Sequence, residues 1–199
     1  GGDVDQTGLI RVDSFGFKLG LVSLRRALMR TSFNLGVINA RLPPQVTDLS
    51  GFFEEANVSA DVSGLDVSNA TTLARMFALS DFNGDLSAWD TRSVTSLEGL
   101  FYRSTFRNSS VAPWDVSRVT DMSLTFAGHP GMFDGMANPE IAGWDTSSVQ
   151  TMAQMFWGNT AFNQPIGTWT TSACTNFREM FRSAKAFNQA LTDWDVSGA

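Results

Sequence analysis

The chain has 199 residues, 43% hydrophobic and 17% charged, and 14 Lys plus Arg against 20 Asp plus Glu leave a net charge of −6. That length and apolar content allow a sizeable core and exclude a disordered chain, while the acidic excess argues against general nucleic-acid binding, which needs dense Lys and Arg. The aromatic residues are skewed, 16 Phe and 6 Trp against one Tyr, and the positions of the rings explain the skew.

The chain opens Gly1-Gly2-Asp3-Val4 without a Met, the start expected of a processed product or a fragment, so the lack of a leader carries no information. No apolar run approaches the roughly 18 residues of a membrane span; the richest stretch, Leu19–Met29, is cut by Arg25 and Arg26. Residues 1–41 hold six Lys or Arg against three Asp, a net of +3, which leaves −9 for the remainder. Leu21, Leu24 and Leu28 share one helical face with Arg25, Arg26 and Arg30 around it, which predicts a basic amphipathic helix within 19–30. Such a helix can cap the open end of a stack or lie peripherally on an anionic membrane. With Phe33-Asn34, the first copy of a recurring pair, residues 1–40 read as a degenerate N-terminal repeat and cap.

From residue 41 the chain is periodic. Counting from the Trp of Trp-Asp as position 0, units start near 41, 65, 89, 114, 144 and 169, with an incomplete one at 194, so the steps after 65 are 24, 25, 30, 25 and 25 residues. Position 12 carries Phe53, Phe77, Phe101, Phe126, Phe156 and Phe181, and a second Phe follows at positions 17 to 19: Phe82, Phe106, Phe133, Phe162 and Phe187. Position 5 carries Val46, Ala70, Val94, Val119, Val149 and Cys174; position 8 carries Leu49, Leu73, Leu97, Met122, Met152 and Phe177. A unit this small cannot bury its own apolar face, so units must stack, and the position-12 Phe form the expected core ladder. A phenol in such a ladder would need a buried hydrogen-bond partner in every unit. Within a unit, Val149–Phe156 has the apolar spacing of a short helix or 3-10 turn, and Phe162–Trp169 reads as a short extended piece. An Asp-[Val/Thr]-Ser turn joins them, and Pro113 and Pro165 limit the strands to about two to four residues. The fold class expected is an α/β repeat solenoid.

Four features depart from the period. The unit from 114 is longer, with extra residues at 129–138; His129, Met132, Phe133 and Met136 of this loop are contact candidates, because added loops often carry recognition. His129, the only histidine, has no repeated Cys or His near it and no Ser or Cys triad partner. Tyr102 and Trp157 both sit at position 13, outside the ladders, and suggest a contact stripe. The chain stops at Trp194–Ala199 with a repeat opened but not completed, so either more chain follows or a protein partner covers Phe187, Leu191 and Trp194. The single Cys174 stands in a Val position, as a small core residue, and leaves the redox compartment open. Glycosylation sequons at Asn57, Asn69 and Asn108 are about as many as chance supplies.

The run "FNQPIGTWTTSACTNFREMFRSAKAFNQALTDWDVS" resembles the repeat of the BspA-type, mycoplasma-lipoprotein family of leucine-rich-repeat-like surface proteins, F-N-x-x-L-x-x-W-D-[VT]-S-x-V-T-x-M-x-x-M-F, over about residues 41–199. The resemblance implies a right-handed, leucine-rich-repeat-like solenoid, a cell-surface or other extracytoplasmic place, and binding in place of catalysis. It carries over no catalytic residue. Thr170 departs from the family's Asp, and 129–138 departs in length.

The function expected is therefore a non-enzymatic protein-protein interaction solenoid, either an adhesin-like surface module or a structural subunit of a larger assembly, as in an organelle lumen. The alternative is a carbohydrate- or calcium-dependent module using the Trp ladder or the Asp ladder of Asp66, Asp90, Asp115, Asp145 and Asp195. No phosphate loop, nucleophile elbow, zinc or dinucleotide motif is present, and no cofactor is expected.

Overall fold

The computed structural model describes residues 3–4, 10–12, 23–30, 32–33, 37–38, 40–108, 110–128 and 139–199. Among the described residues five short strands lie in the first 58: β1 (Asp3–Val4), β2 (Ile10–Val12), β3 (Ser32–Phe33), β4 (Val37–Ile38) and β5 (Asn57–Val58). β1 pairs antiparallel with β2, β2 pairs parallel with β4, and β3 pairs parallel with β5. The register of the last pair, Ser32 with Asn57, is one unit of the sequence period.

Parallel pairing then continues as single-residue bridges. Ser23, Asp48, Thr72, Ser96, Asp121, Thr151 and Asn176 form one ladder in which each residue bridges its counterpart in the next unit. The 30-residue step does not break it: Asp121 bridges Thr151 directly, so the extra residues leave the ladder in register.

After each bridge the chain runs through turns, over 25–30, 50–55, 74–79, 98–103, 123–126, 153–158 and 178–183. Val149–Phe156 and the described part (23–30) of the basic segment 19–30 run through such turns, closed by bonds from residue i+3 to i, and not through an α-helix. The hydrogen bonds give the reason. Alternate amides reach across to the next unit: those of Met152, Gln154, Phe156 and Gly158 donate to the carbonyls of Asn176, Arg178, Met180 and Arg182 at 2.8–3.0 Å. The intervening amides of Met155, Trp157 and Asn159 donate to the carbonyl three residues back. A helix would need the first set for its own i−4 bonds. Residues 24–30 follow the same scheme against 48–54.

The scheme demands a left-handed residue at the third place of recurrent turns. Positive φ values of +53° to +69° occur at Arg26, Arg30, Gly51, Glu55, Arg75, Leu79, Gly99, Arg103, Leu124, Gln154, Gly158, Glu179 and Ser183. Those in one unit are four apart wherever two occur, so the ribbon has a fixed pitch.

The core lies behind the ribbon. Position-12 rings stack unit on unit, with centroids 5.5 Å apart for Phe53–Phe77 and 5.8 Å for Phe77–Phe101, Phe101–Phe126 and Phe156–Phe181; Phe126–Phe156 lie at 5.9 Å. The second Phe of each unit packs on the first at 3.7–4.2 Å in Phe77–Phe82, Phe101–Phe106, Phe156–Phe162 and Phe181–Phe187. Phe53 through Phe156 are essentially unexposed, whereas Phe177, Phe181, Phe187, Leu191 and Trp194 are only partly buried. Cys174 is buried among them, and desolvation pushes its thiol above the ordinary range.

Candidate functional site

The residues that recur in every unit are occupied within the fold. The indole N–H groups of Trp89, Trp114, Trp144, Trp169 and Trp194 donate to the carbonyls of Val62, Leu86, Val111, Ile141 and Ile166, each three residues before the start of the preceding unit, at 3.0–3.2 Å. The first four indoles are at most 5% exposed, so they offer no open ring face; Trp194 is half-buried. In each Asp-x-Ser or Asp-x-Arg turn, Oδ1 of Asp66, Asp90, Asp115, Asp145 or Asp195 accepts the amide two residues on, at 3.0–3.2 Å. Hydrogen bonds to that anion hold four of these carboxyls below the ordinary range: the Arg92 side chain on Asp90, and the Ser117, Ser147 and Ser197 hydroxyls on Asp115, Asp145 and Asp195. Among the described residues no three His, Cys, Asp or Glu side chains group as a metal site.

The recurring Phe-Asn pair is also structural. Asn83 Oδ1 accepts the Arg107 amide at 2.7 Å, and Asn163 Oδ1 accepts that of Asn188 at 3.0 Å. Asn108, one of the sequon asparagines, donates Nδ2 to the carbonyls of Asn83 and Gly84, so a glycan on that nitrogen would remove one of the two donated hydrogens. Asn57 and Asn69 are exposed.

The positions that change from unit to unit collect elsewhere. In the turn ribbon, positions 8, 11 and 12 face the core, as Leu73, Met76 and Phe77 do; positions 9, 10, 13 and 14 make up the other side, where Glu54, Ala78 and Ala127 are buried and the larger side chains, such as Arg75, Tyr102 and Trp157, are partly exposed. In chain order these outer quartets are Arg25, Arg26, Met29, Arg30; then Ser50, Gly51, Glu54, Glu55; then Ala74, Arg75, Ala78, Leu79; and Glu98, Gly99, Tyr102, Arg103. Three more follow: Ser123, Leu124, Ala127, Gly128; Ala153, Gln154, Trp157, Gly158; and Arg178, Glu179, Arg182, Ser183. The repeat constrains the backbone at positions 10 and 14 but does not recur in side-chain type there, so the exposed members of these quartets are the ones free to carry specificity.

Two of the contact candidates, Tyr102 and Trp157, lie on this face and are half-buried. The Tyr102 ring is covered by two guanidinium groups, Arg75 at 5.5 Å and Arg103 at 5.3 Å from its centroid. His129, Met132, Phe133 and Met136 lie outside the described residues. Trp194 is not on this face; it lines an apolar depression of about 520 Å³ with Phe177, Met180, Phe181 and Val196.

A charged cluster on the ribbon is invisible in the repeat pattern, because its members are 21 to 28 residues apart. Glu54 is 2% exposed and lies between units: Arg26 Nε donates to its Oε2 at 2.9 Å, and Arg75 Nε and Nη2 donate to its Oε1 at 2.8 and 2.6 Å. Arg30 grips Glu55 with two bonds, and Glu179 accepts from Arg182 and Gln154. Arg25, Arg26, Ser50, Gly51, Glu54, Ala74, Arg75 and Glu98 line a polar cleft of about 180 Å³. A Cβ at Gly51 would lie 2.8 Å from Glu54 Oε2 and 2.9 Å from Arg26 Cγ, so a larger residue on the cleft floor would displace both side chains.

A family model described as a Mycoplasma protein of unknown function, DUF285, matches residues 23–132 and 130–199. The chain belongs to that family. No curated protein and no solved structure matches it.

Proposed function

From that membership, we propose that the chain is a non-enzymatic interaction module: an α/β, leucine-rich-repeat-like solenoid of the BspA type that presents its turn ribbon to a protein partner, as an adhesin-like surface module or as a subunit of a larger assembly. The observation that carries this reading is the division of labour between positions. Among the described residues, the recurring Trp, Asp and Phe and the asparagines Asn83 and Asn163 are engaged in the core, in a turn or in bonds between units, whereas the residues that vary, Tyr102 and Trp157 among them, share one face. A half-buried aromatic under two arginines, as Tyr102 is, has the composition of an interaction hot spot.

The test is photo-crosslinking in the source cells, with a benzophenone amino acid placed at Tyr102 or Trp157 and, as a control, at Ser147 in an exposed turn. The same protein adduct from 102 and 157, and none from 147, is the expected result. Adducts that form equally well at 147, or none at any of the three, would sink the proposal.

A further inference from the structure

The ribbon face differs in charge from the rest of the molecule. Its seven quartets hold Arg25, Arg26, Arg30, Arg75, Arg103, Arg178 and Arg182 against Glu54, Glu55, Glu98 and Glu179, a net of 7 − 4 = +3 on a chain of −6, so everything else carries −6 − 3 = −9. None of the 15 Asp lies on it. Five of the seven arginines fall within the first four units, and parallel pairing sets neighbouring units about 4.8 Å apart, so the cluster spans about 15 Å along the ladder.

Not all of that charge is neutralised internally. Glu54 engages Arg26 and Arg75, Glu55 engages Arg30, and Glu179 engages Arg182. Arg25, Arg103 and Arg178 form no salt bridge among the described residues. The Arg103 Nε is buried and has no hydrogen-bond partner, an unsatisfied donor on an exposed-face residue. Beside Arg25 opens the cleft over Gly51, whose volume of about 180 Å³ suits a carboxylate side chain but not a nucleotide.

We propose that this face docks an extended acidic segment of a protein partner, with one carboxylate in the cleft beside Arg25 and a second reaching Arg103. This deepens the reading of the chain as a protein-interaction module and rests on it. An extended peptide advances about 3.3 Å per residue, so about five residues cover the five-arginine cluster. Carboxylates match the paired donors of a guanidinium. A nucleic acid fits less well, because the cleft of about 180 Å³ admits a carboxylate side chain but not a nucleotide.

The experiment measures fluorescence anisotropy of a labelled peptide with five consecutive glutamates between neutral flanks, at low and at physiological salt. The intact chain is compared with Arg25→Glu/Arg103→Glu and with a control, Arg107→Glu/Arg118→Glu, at two exposed arginines off the ribbon. Neither pair makes a salt bridge, and circular dichroism confirms folding of each variant. Expected are a weakening of about tenfold or more for the ribbon pair, less than about twofold for the control, and loss of affinity with salt. Equal weakening by both pairs, no binding to the intact chain, or tighter binding of an RNA oligomer of equal charge would overturn the proposal. A crosslinked partner from the 102 and 157 probes whose binding is untouched by Arg25→Glu/Arg103→Glu would refute the acidic docking while leaving the interaction function standing.

Discussion

At the scale of the residue, the recurring side chains act on the backbone and the variable ones act on charge. Asp115 shows the first: its carboxylate accepts both the Ser117 amide and the Ser117 hydroxyl, at 3.0 and 2.7 Å, and is stabilised as the anion. Because the folded value is depressed, the stability contributed by such turns is present above the unfolded value of about 3.9 and is lost as pH falls through the folded one. Glu98 shows the opposite. Burial in the cleft raises its carboxyl, Arg75 pulls it down, and the Asp121 and Glu54 charges push it up again. A raised carboxyl is at its most favourable when protonated, below the unfolded value of about 4.3, and costs stability once pH rises through the folded value. Glu98→Gln keeps the shape and removes the charge, so the variant is expected to melt higher than the parent at pH 7, with the gain vanishing near pH 4. Thermal melts by circular dichroism across that range check it. A lower melting temperature at pH 7 would show that the Arg75 attraction outweighs the desolvation.

At the scale of the element, the turn ribbon is the part that sequence reasoning missed, and its chemistry explains why. Inward residues at positions 5, 8, 11 and 12 satisfy a helical apolar stripe and this ribbon equally, so Val149, Met152, Met155 and Phe156 could not discriminate between them. The feature that does discriminate is the left-handed residue, usually announced by glycine. Here only Gly51, Gly99 and Gly158 announce it, and Arg, Glu, Gln, Leu and Ser fill the other places. The Phe and Trp columns were legible because each recurs at a fixed position; the Glu54 cluster was not, because it joins Arg26, Glu54 and Arg75 across three units with no shared motif. Leu79 isolates the cost of the left-handed backbone: φ is +57°, the residue is 38% exposed, and no side-chain hydrogen bond or ion pair involves it. Relieving the strain recovers about 1–2 kcal/mol, and the greater freedom of glycine in the unfolded chain offsets about 0.4–1 kcal/mol. Losing the covered part of the leucine side chain costs a share of the roughly 1.5–3 kcal/mol of full burial, so Leu79→Gly should change stability by less than about 1 kcal/mol in either direction, read from the shift of a urea midpoint at unchanged slope. Destabilisation beyond about 1 kcal/mol would mean that the Leu79 side chain packs against something essential.

At the scale of the whole molecule, stability should be carried by contacts between neighbouring units, because a core built of one-ring-per-unit columns has few contacts of longer range. Phe156 is the case with neighbours on every side: Phe126 at 5.9 Å, Phe181 at 5.8 Å, Phe162 at 3.7 Å and Trp169 at 6.4 Å, with no exposure. Phe181 occupies the same position one unit on; it stacks on Phe156 and packs on Phe187 and Trp194, but is half-exposed. If ladder stacking is the source of the stability, one chemical change should have two costs. Phe156→Ala empties a closed site and should cost about 3–5 kcal/mol, the range for a buried aromatic. Phe181→Ala leaves a space that water already partly reaches and should cost about half as much, since the transfer contribution scales with the area removed from water. Urea unfolding followed by tryptophan fluorescence measures both. Ring stacking across units predicts that the ratio widens when the variants are combined with Trp194→Ala, which touches Phe181 but not Phe156: the cost of Phe181→Ala should fall further and that of Phe156→Ala should stay, because only contacting pairs couple. Equal costs for the two positions, in either background, would place the stability within units and remove the ladder as its cause.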